Sequence, residues 1–180
     1  MKIAAINQEN DDKLGNHAAW RRVFGILNQI KIWNPQRDSR DIYSTTIHEL
    51  AHASHWHMNH ADFNNTETKV KESWARGVQW ELTTMSYPDY GGAPTIRPYY
   101  TQVVVDLIDD RAPLDRFGSP RNINRGSENL TQDDVSGYTI RQVEDALRGR
   151  KSWLSWRDNL KNKYANATEE NLDALFDHWN

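Results

Sequence analysis

The stretch Thr46-Ile47-His48-Glu49-Leu50-Ala51-His52 decides how this sequence is read. Residues four apart stand one above the other on a helix face, so the imidazoles of His48 and His52 can reach one ion. The carboxylate of Glu49, between them, points to the adjacent side, where it can take a proton from a water held by that ion. The spacing H-E-x-x-H is a metal-site pattern with this division of labour. A helix is expected over roughly Asp41 to His57, with Ile42, Ile47 and Leu50 burying it and Ala51 small enough to let another backbone come close.

A catalytic ion of this kind needs a third protein ligand and keeps its fourth position for water. A third histidine at the spacing H-E-x-x-H-x-x-G-x-x-H would need glycine at position 55 and histidine at position 58, where the chain has His55 and Met58. The other source is a glutamate on a helix that folds back. A polar connector, His60 to Thr66, leads into a helix expected over Glu67 to Met85, with Asn64 and Glu67 as its capping pair. Glu67, Glu72 and Glu81 all lie in that helix. Glu67 stands at its start, where an acid is expected on dipole grounds, and Glu81 lies more than two turns beyond Glu72. Glu72 is favoured, 20 residues past His52 and a turn or two into the return helix.

His48-Glu49-Leu50-Ala51-His52 followed by Lys71-Glu72-Ser73-Trp74-Ala75 resembles the gluzincin zinc metallopeptidases, the thermolysin-like arrangement of two histidines and one glutamate. Ile47 to Trp56, Glu72 to Trp80 and Val135 to Leu147 also look like proteins described as secreted zinc peptidases of gut bacteria. The resemblance that bears the motif covers roughly Ile30 to Met85. It implies a zincin-like catalytic domain spanning 1–180, lacking an N-terminal portion, with zinc held by His48, His52 and Glu72 and with Glu49 as general base. It implies hydrolysis of a peptide or protein substrate, at a secreted or cell-surface location. It also matches the strand Gln29 to Trp33 to an edge strand that pairs with an extended peptide. The sequence departs from the family at Arg76, where many gluzincins carry an aspartate that orients a ligating histidine; another acceptor must then hold the tautomer. A donor for the oxyanion is also required. Tyr138 is the first candidate, with Tyr87, Tyr99 and Tyr100 as alternatives. A different class of function, a non-catalytic surface or binding protein that retains this fold, has no need of Glu49.

Outside the motif the pattern is helical. A helix is expected over His17 to Gln29, with Asn16 as N-cap and Trp20, Val23, Phe24 and Leu27 as its buried stripe. Alternation marks Gln29 to Trp33 as a short strand, ended by Asn34-Pro35. Tyr87 to Pro98 reads as loop, Tyr99 to Asp110 as helix and Arg111 to Leu130 as irregular. Thr139 and Gln142 form a capping box for a helix that ends at Gly149. Two further helices carry the stripes Trp153, Trp156, Leu160, Tyr164 and Leu172, Leu175, Phe176, Trp179. The expected fold is mainly α with little strand (α+β), and its tryptophan stripes read as core. His55, His57 and His60 read as a solvated helix end.

Composition narrows the functions. In 180 residues, 37% hydrophobic with eight Trp, seven Tyr and four Phe, there is enough apolar matter for a folded core. A net charge of -3 leaves no basic excess for nucleic acid. The absence of cysteine excludes disulfides and thiolate metal sites. No apolar run approaches a transmembrane span, and the stretch from Met1 to Asn10 is too short and polar for a signal peptide.

Overall fold

The computed structural model describes residues 2–7, 14–18, 29–34, 37–92, 98–108 and 135–180. They are mainly helical, with one small sheet. Strands β1 (Ile3–Ile6), β2 (Gly15–His17) and β3 (Ile30–Trp33) lie in the order β1-β3-β2. β3 runs parallel to β1, pairing Ile30 with Ile3, and antiparallel to β2, pairing Ile32 with Gly15 and Ile30 with His17. Its alternation buries Ile30 and Ile32 on one face.

Two expectations change here. The strand at Gln29 to Trp33 forms, but as the central strand; the edge that meets the first helix is β2. Asn16 and His17 belong to β2, so they do not open a helix, and the Ala18 N–H donates to the Gln29 carbonyl; residues 19–28 of that expected helix lie outside the described residues. Trp20, Val23, Phe24 and Leu27 lie outside the described residues.

Helix α1 (Ser39–Asn59) starts where the Asp38 carboxylate accepts the Arg40 N–H at 2.7 Å. Ile42, Ile47 and Leu50 are only half-buried, contrary to expectation. The face turned inward is small or polar: Ser44, Thr45, Ala51 and Ala53, with Glu49, His52, His55 and Asn59. Small residues let the sheet and a second helix approach closely, and the polar ones need partners in the interior.

A 3-10 turn at Phe63–Asn65 leads to α2 (Thr68–Ser86), which packs along α1. Asn64 and Glu67 do not form the expected capping pair; the Glu67 carboxylate instead accepts the N–H of Trp153 at 2.9 Å. Helix α3 (Val103–Ile108) starts later than expected, because the Thr101 hydroxyl accepts the Val103 N–H and Tyr99 and Tyr100 precede the helix; residues 109 and 110 lie outside the described residues. It crosses α2 at Gly77, where any Cβ would collide with the side chain of Val104. The expected irregular segment Arg111 to Leu130 lies outside the described residues.

Helices α4 (Ile140–Leu147), α5 (Trp153–Lys163) and α6 (Leu172–His178) complete the chain. The Thr139–Gln142 capping box forms as expected, and Gly149 takes the left-handed conformation (φ 72°) just past α4. The two C-terminal stripes meet: Trp153, Trp156, Leu160, Leu172, Leu175, Phe176 and Trp179 are all buried. Their indole N–H groups find acceptors in Phe176 O, Val143 O and Asp106 Oδ2. The hydrophobic cluster they form runs on through Val104 and Trp74 to Ala51 in α1. No helix among the described residues is long and apolar enough to cross a membrane.

Candidate metal centre

His48 and His52 project from one face of α1 toward Glu72, one turn into α2. The three ligand atoms converge. His48 Nε2 lies 3.2 Å and His52 Nε2 3.3 Å from Glu72 Oε2, and the two Nε2 atoms are 3.1 Å apart. Ligands at about 2.0–2.1 Å from a tetrahedral cation stand roughly 3.3–3.4 Å from one another. The triangle therefore has the size of one face of such a tetrahedron. Hydrogen bonds alone serve it poorly, since each Nε2 has a single lone pair or proton and faces two partners. A cation at the centre uses all three lone pairs together. His48, His52 and Glu72 can hold a metal ion.

Electrostatics prepares two of these groups. Burial pulls His48 down to about 4, against the raising effect of Glu72, so it is neutral near pH 7. Burial alone would raise Glu72, but hydrogen bonds from His48 and His52 and their charge hold it below the ordinary carboxylate range. For His52 burial works against the cation, yet the Glu72 hydrogen bond and the charges of Glu72 and Glu49 raise it overall. Metal binding takes the neutral imidazole and therefore competes with protonation of His52.

Glu49 sits beside the triad and is buried. Burial pushes its carboxyl up to about 7, opposed by the charge of His52, with Glu72 raising it further and a backbone hydrogen bond from His17 lowering it. A carboxylate poised there can both take and return a proton at neutral pH. β2 holds it in place. An ideal Cβ at Gly15 would lie 2.5 Å from Glu49 Oε1, so only glycine lets the strand approach this closely.

The centre opens into a cleft of about 820 Å³. β2 forms part of one wall through Gly15, Asn16 and His17, and Arg76, Tyr90 and Tyr100 line another part. The Tyr100 ring stacks against His48, with centroids 6.3 Å apart. Burial and the nearby Glu72 carboxylate hold its phenol above the ordinary value, so it stays protonated. Tyr138 is elsewhere: it is 2% exposed in the hydrophobic core, its N–H bonded to Leu107 O, and it does not line the cleft. It cannot meet a substrate there. Tyr99 is exposed and Tyr87 packs on Tyr43, both away from the cleft lining.

Sequence reading missed two parts of this site. β2 carries only three residues, too few for any periodicity. The absence of a partner for the ligand imidazoles is the other: Nδ1 of His48 and of His52 is buried with no hydrogen-bond partner among the described residues. Arg76, one turn after Glu72, is a guanidinium and offers them no acceptor. His55 also differs from expectation. Instead of sharing a solvated helix end with His57 and His60, it is fully buried against Phe63 (5.1 Å between centroids) and accepts a hydrogen bond from Asn59 Nδ2 at 3.1 Å. No protein-family model matches the chain, and no curated protein or solved structure matches it.

Proposed function

We propose that this chain is a zinc-dependent peptidase of zincin-like architecture, with His48, His52 and Glu72 as ligands and Glu49 as general base. The observation that carries the proposal is the 3.1–3.3 Å triangle of ligand atoms with a buried carboxylate beside it. Two imidazoles and one carboxylate are a donor set suited to zinc, and they leave one coordination place free.

A zinc ion held there would supply Lewis acidity and make hydroxide available near neutral pH. The protein's own residues supply the rest. Glu49, with its pKa near 7, takes the proton of the attacking water and returns it to the leaving amine. We assign the oxyanion donor to Tyr100, which stays protonated and stacks on His48. The outer edge of β2 offers main-chain groups to an extended peptide along the cleft wall. A binding protein with a structural metal would have no use for a buried carboxylate with a raised pKa next to the ligands, since burying it costs stability.

The test pairs catalysis with metal content. Wild-type protein loaded with zinc should cleave members of a broad peptide library, and Glu49→Gln should lose about 10²–10⁴-fold in kcat/KM while keeping its zinc. Zinc retention with no cleavage by the wild type would sink the peptidase reading; unchanged zinc content in Glu72→Ala would sink the ligand assignment.

A further inference from the structure

Arg76 lies one helical turn beyond Glu72, on the same face of α2, and lines the cleft. Its guanidinium sits over the Tyr100 ring at 4.9 Å, close enough to His48 for its charge to be felt there. The side chain is half-buried, and its Nε is fully buried with no hydrogen-bond partner. No carboxylate among the described residues lies within 4.0 Å of it; Glu72 attracts it from further off, while Glu72 Oε2 is directed at the two histidines. The phenols of Tyr90 and Tyr100 also interact with it electrostatically.

This is an expensive way to place a cation. Contact with Tyr100 offsets part of the desolvation, but a buried guanidinium donor without an acceptor remains costly. The other cleft cations differ. Arg37 donates to the carbonyls of Asn34 and Trp33, and Lys71 lies over the Phe63 ring at 5.3 Å. Arg76 is thus the cation beside the metal ligands whose planar fork is left for a ligand. A fork of that shape matches a carboxylate in bidentate fashion.

We propose that Arg76 is a specificity-determining residue that recognises a substrate carboxylate about one residue from the cleaved bond. The inference rests on the reading of the centre as a peptidase and names its substrate class: peptides with a free C-terminus, or an acidic side chain, next to the scissile bond. Arg76 binds that carboxylate and fixes the peptide's register relative to Glu49, while the position one turn after the ligand glutamate gives up any role in orienting a histidine.

The test reads binding, without turnover. Three probes share a succinyl hydroxamate, which anchors on the metal whatever the sequence preference, and differ at the far end: an alanine acid, an alanine amide, and an aspartate α-amide. A second set with a glutaryl spacer covers the spacing. Each is titrated calorimetrically into zinc-loaded wild type, Arg76→Gln, Arg76→Lys and Lys71→Gln. The expected result is that wild type binds one acid-bearing probe about ten- to a hundredfold more tightly than the neutral amide. Preference for the alanine acid assigns a free C-terminus, and preference for the aspartate amide assigns a side chain. Arg76→Gln should erase the preference while still binding the neutral probe, Arg76→Lys should restore part of it, and Lys71→Gln should retain it. Equal affinity of wild type for acids and amide overturns the proposal, as does a preference that survives Arg76→Gln. Those outcomes leave the peptidase reading intact. Failure of every hydroxamate, the neutral one included, to bind zinc-loaded protein removes the open metal site and overturns both.

Discussion

A side chain at position 15 and the carboxylate of Glu49 compete for the same space. The ideal Cβ there would lie 2.5 Å from Oε1, 2.8 Å from Cγ of Glu49 and 2.9 Å from Cγ2 of Thr45. Because Glu49 is buried and held by a backbone hydrogen bond from His17, it has little room to retreat. Gly15→Ala should therefore displace Glu49, the proposed general base, while leaving His48, His52 and Glu72 untouched. The expected outcome is a loss of about 10²-fold in kcat/KM, the scale of a misplacement near 1 Å, with stoichiometric zinc retained. Peptide hydrolysis and metal analysis on the same preparation check it. Unchanged activity would show that β2 does not set the position of Glu49, and a parallel loss of zinc would show that the strand supports the ligands instead.

At the level of elements, the C-terminal end of α1 is tied to the chain between α4 and α5 by one polar relay. The Asn59 carboxamide accepts the Gly149 N–H at 2.7 Å, which fixes its orientation, and its Nδ2 donates to His55 Nε2 at 3.1 Å. His55 must then be the neutral acceptor with its proton on Nδ1. Burial, reinforced by the charges of His52 and Lys71, pulls it down to about 3 from an ordinary value of 6.5. Between those values the unfolded chain binds a proton that the folded protein refuses. Stability from this group is fully present above pH 6.5 and falls as pH drops toward 3, by up to about 1.4 kcal/mol per unit. Urea unfolding of wild type and His55→Gln between pH 7 and 4 checks this: the variant should show the flatter dependence, and identical slopes would remove His55 as the cause. The relay also marks where sequence reading stops. The convergence of His48, His52 and Glu72 was legible because a four-residue spacing on a helix fixes direction, and a helix–turn–helix return limits where a third side chain can meet the first two. The capping box at Thr139 and the tryptophan stripes were legible for the same local reason. His55 was not, since its partner is a carboxamide one turn on, oriented by a backbone N–H 90 residues away. Glu67 carried a true helix-start signal but serves the first N–H of α5 rather than its own helix. β2 was misread because Asn16 before an apolar-periodic run is as good an N-cap as it is an edge-strand residue, and strand partners are chosen by tertiary packing. Tyr100 was one of four tyrosines until the turn before α3 placed it on His48.

Across the whole molecule, the candidate metal centre and the hydrophobic core share the same two helices. Ala51 of α1 and Val70, Trp74 and Ala75 of α2 belong to the cluster that continues through α3 and the C-terminal tryptophans, so the packing that holds α1 to α2 also fixes the spacing of the ligands. An unfolded chain keeps no such spacing between position 48 and position 72, so an ion held by all three side chains would bind the folded form preferentially. Metal binding must then add to folding stability by mass action. Zinc at about 100 times its dissociation constant should add about 2.7 kcal/mol. For a chain of this size that is a rise in Tm of about 5–11 °C. Thermal unfolding followed by tryptophan fluorescence, with and without zinc and after chelation, checks it. Glu49→Gln should show the full rise, because it removes no ligand. Glu72→Ala should show little or none while unfolding cooperatively without metal. An equal rise in Glu72→Ala would place the ion elsewhere on the molecule, and with it would go the link between the α1–α2 packing and the chemistry assigned to the cleft.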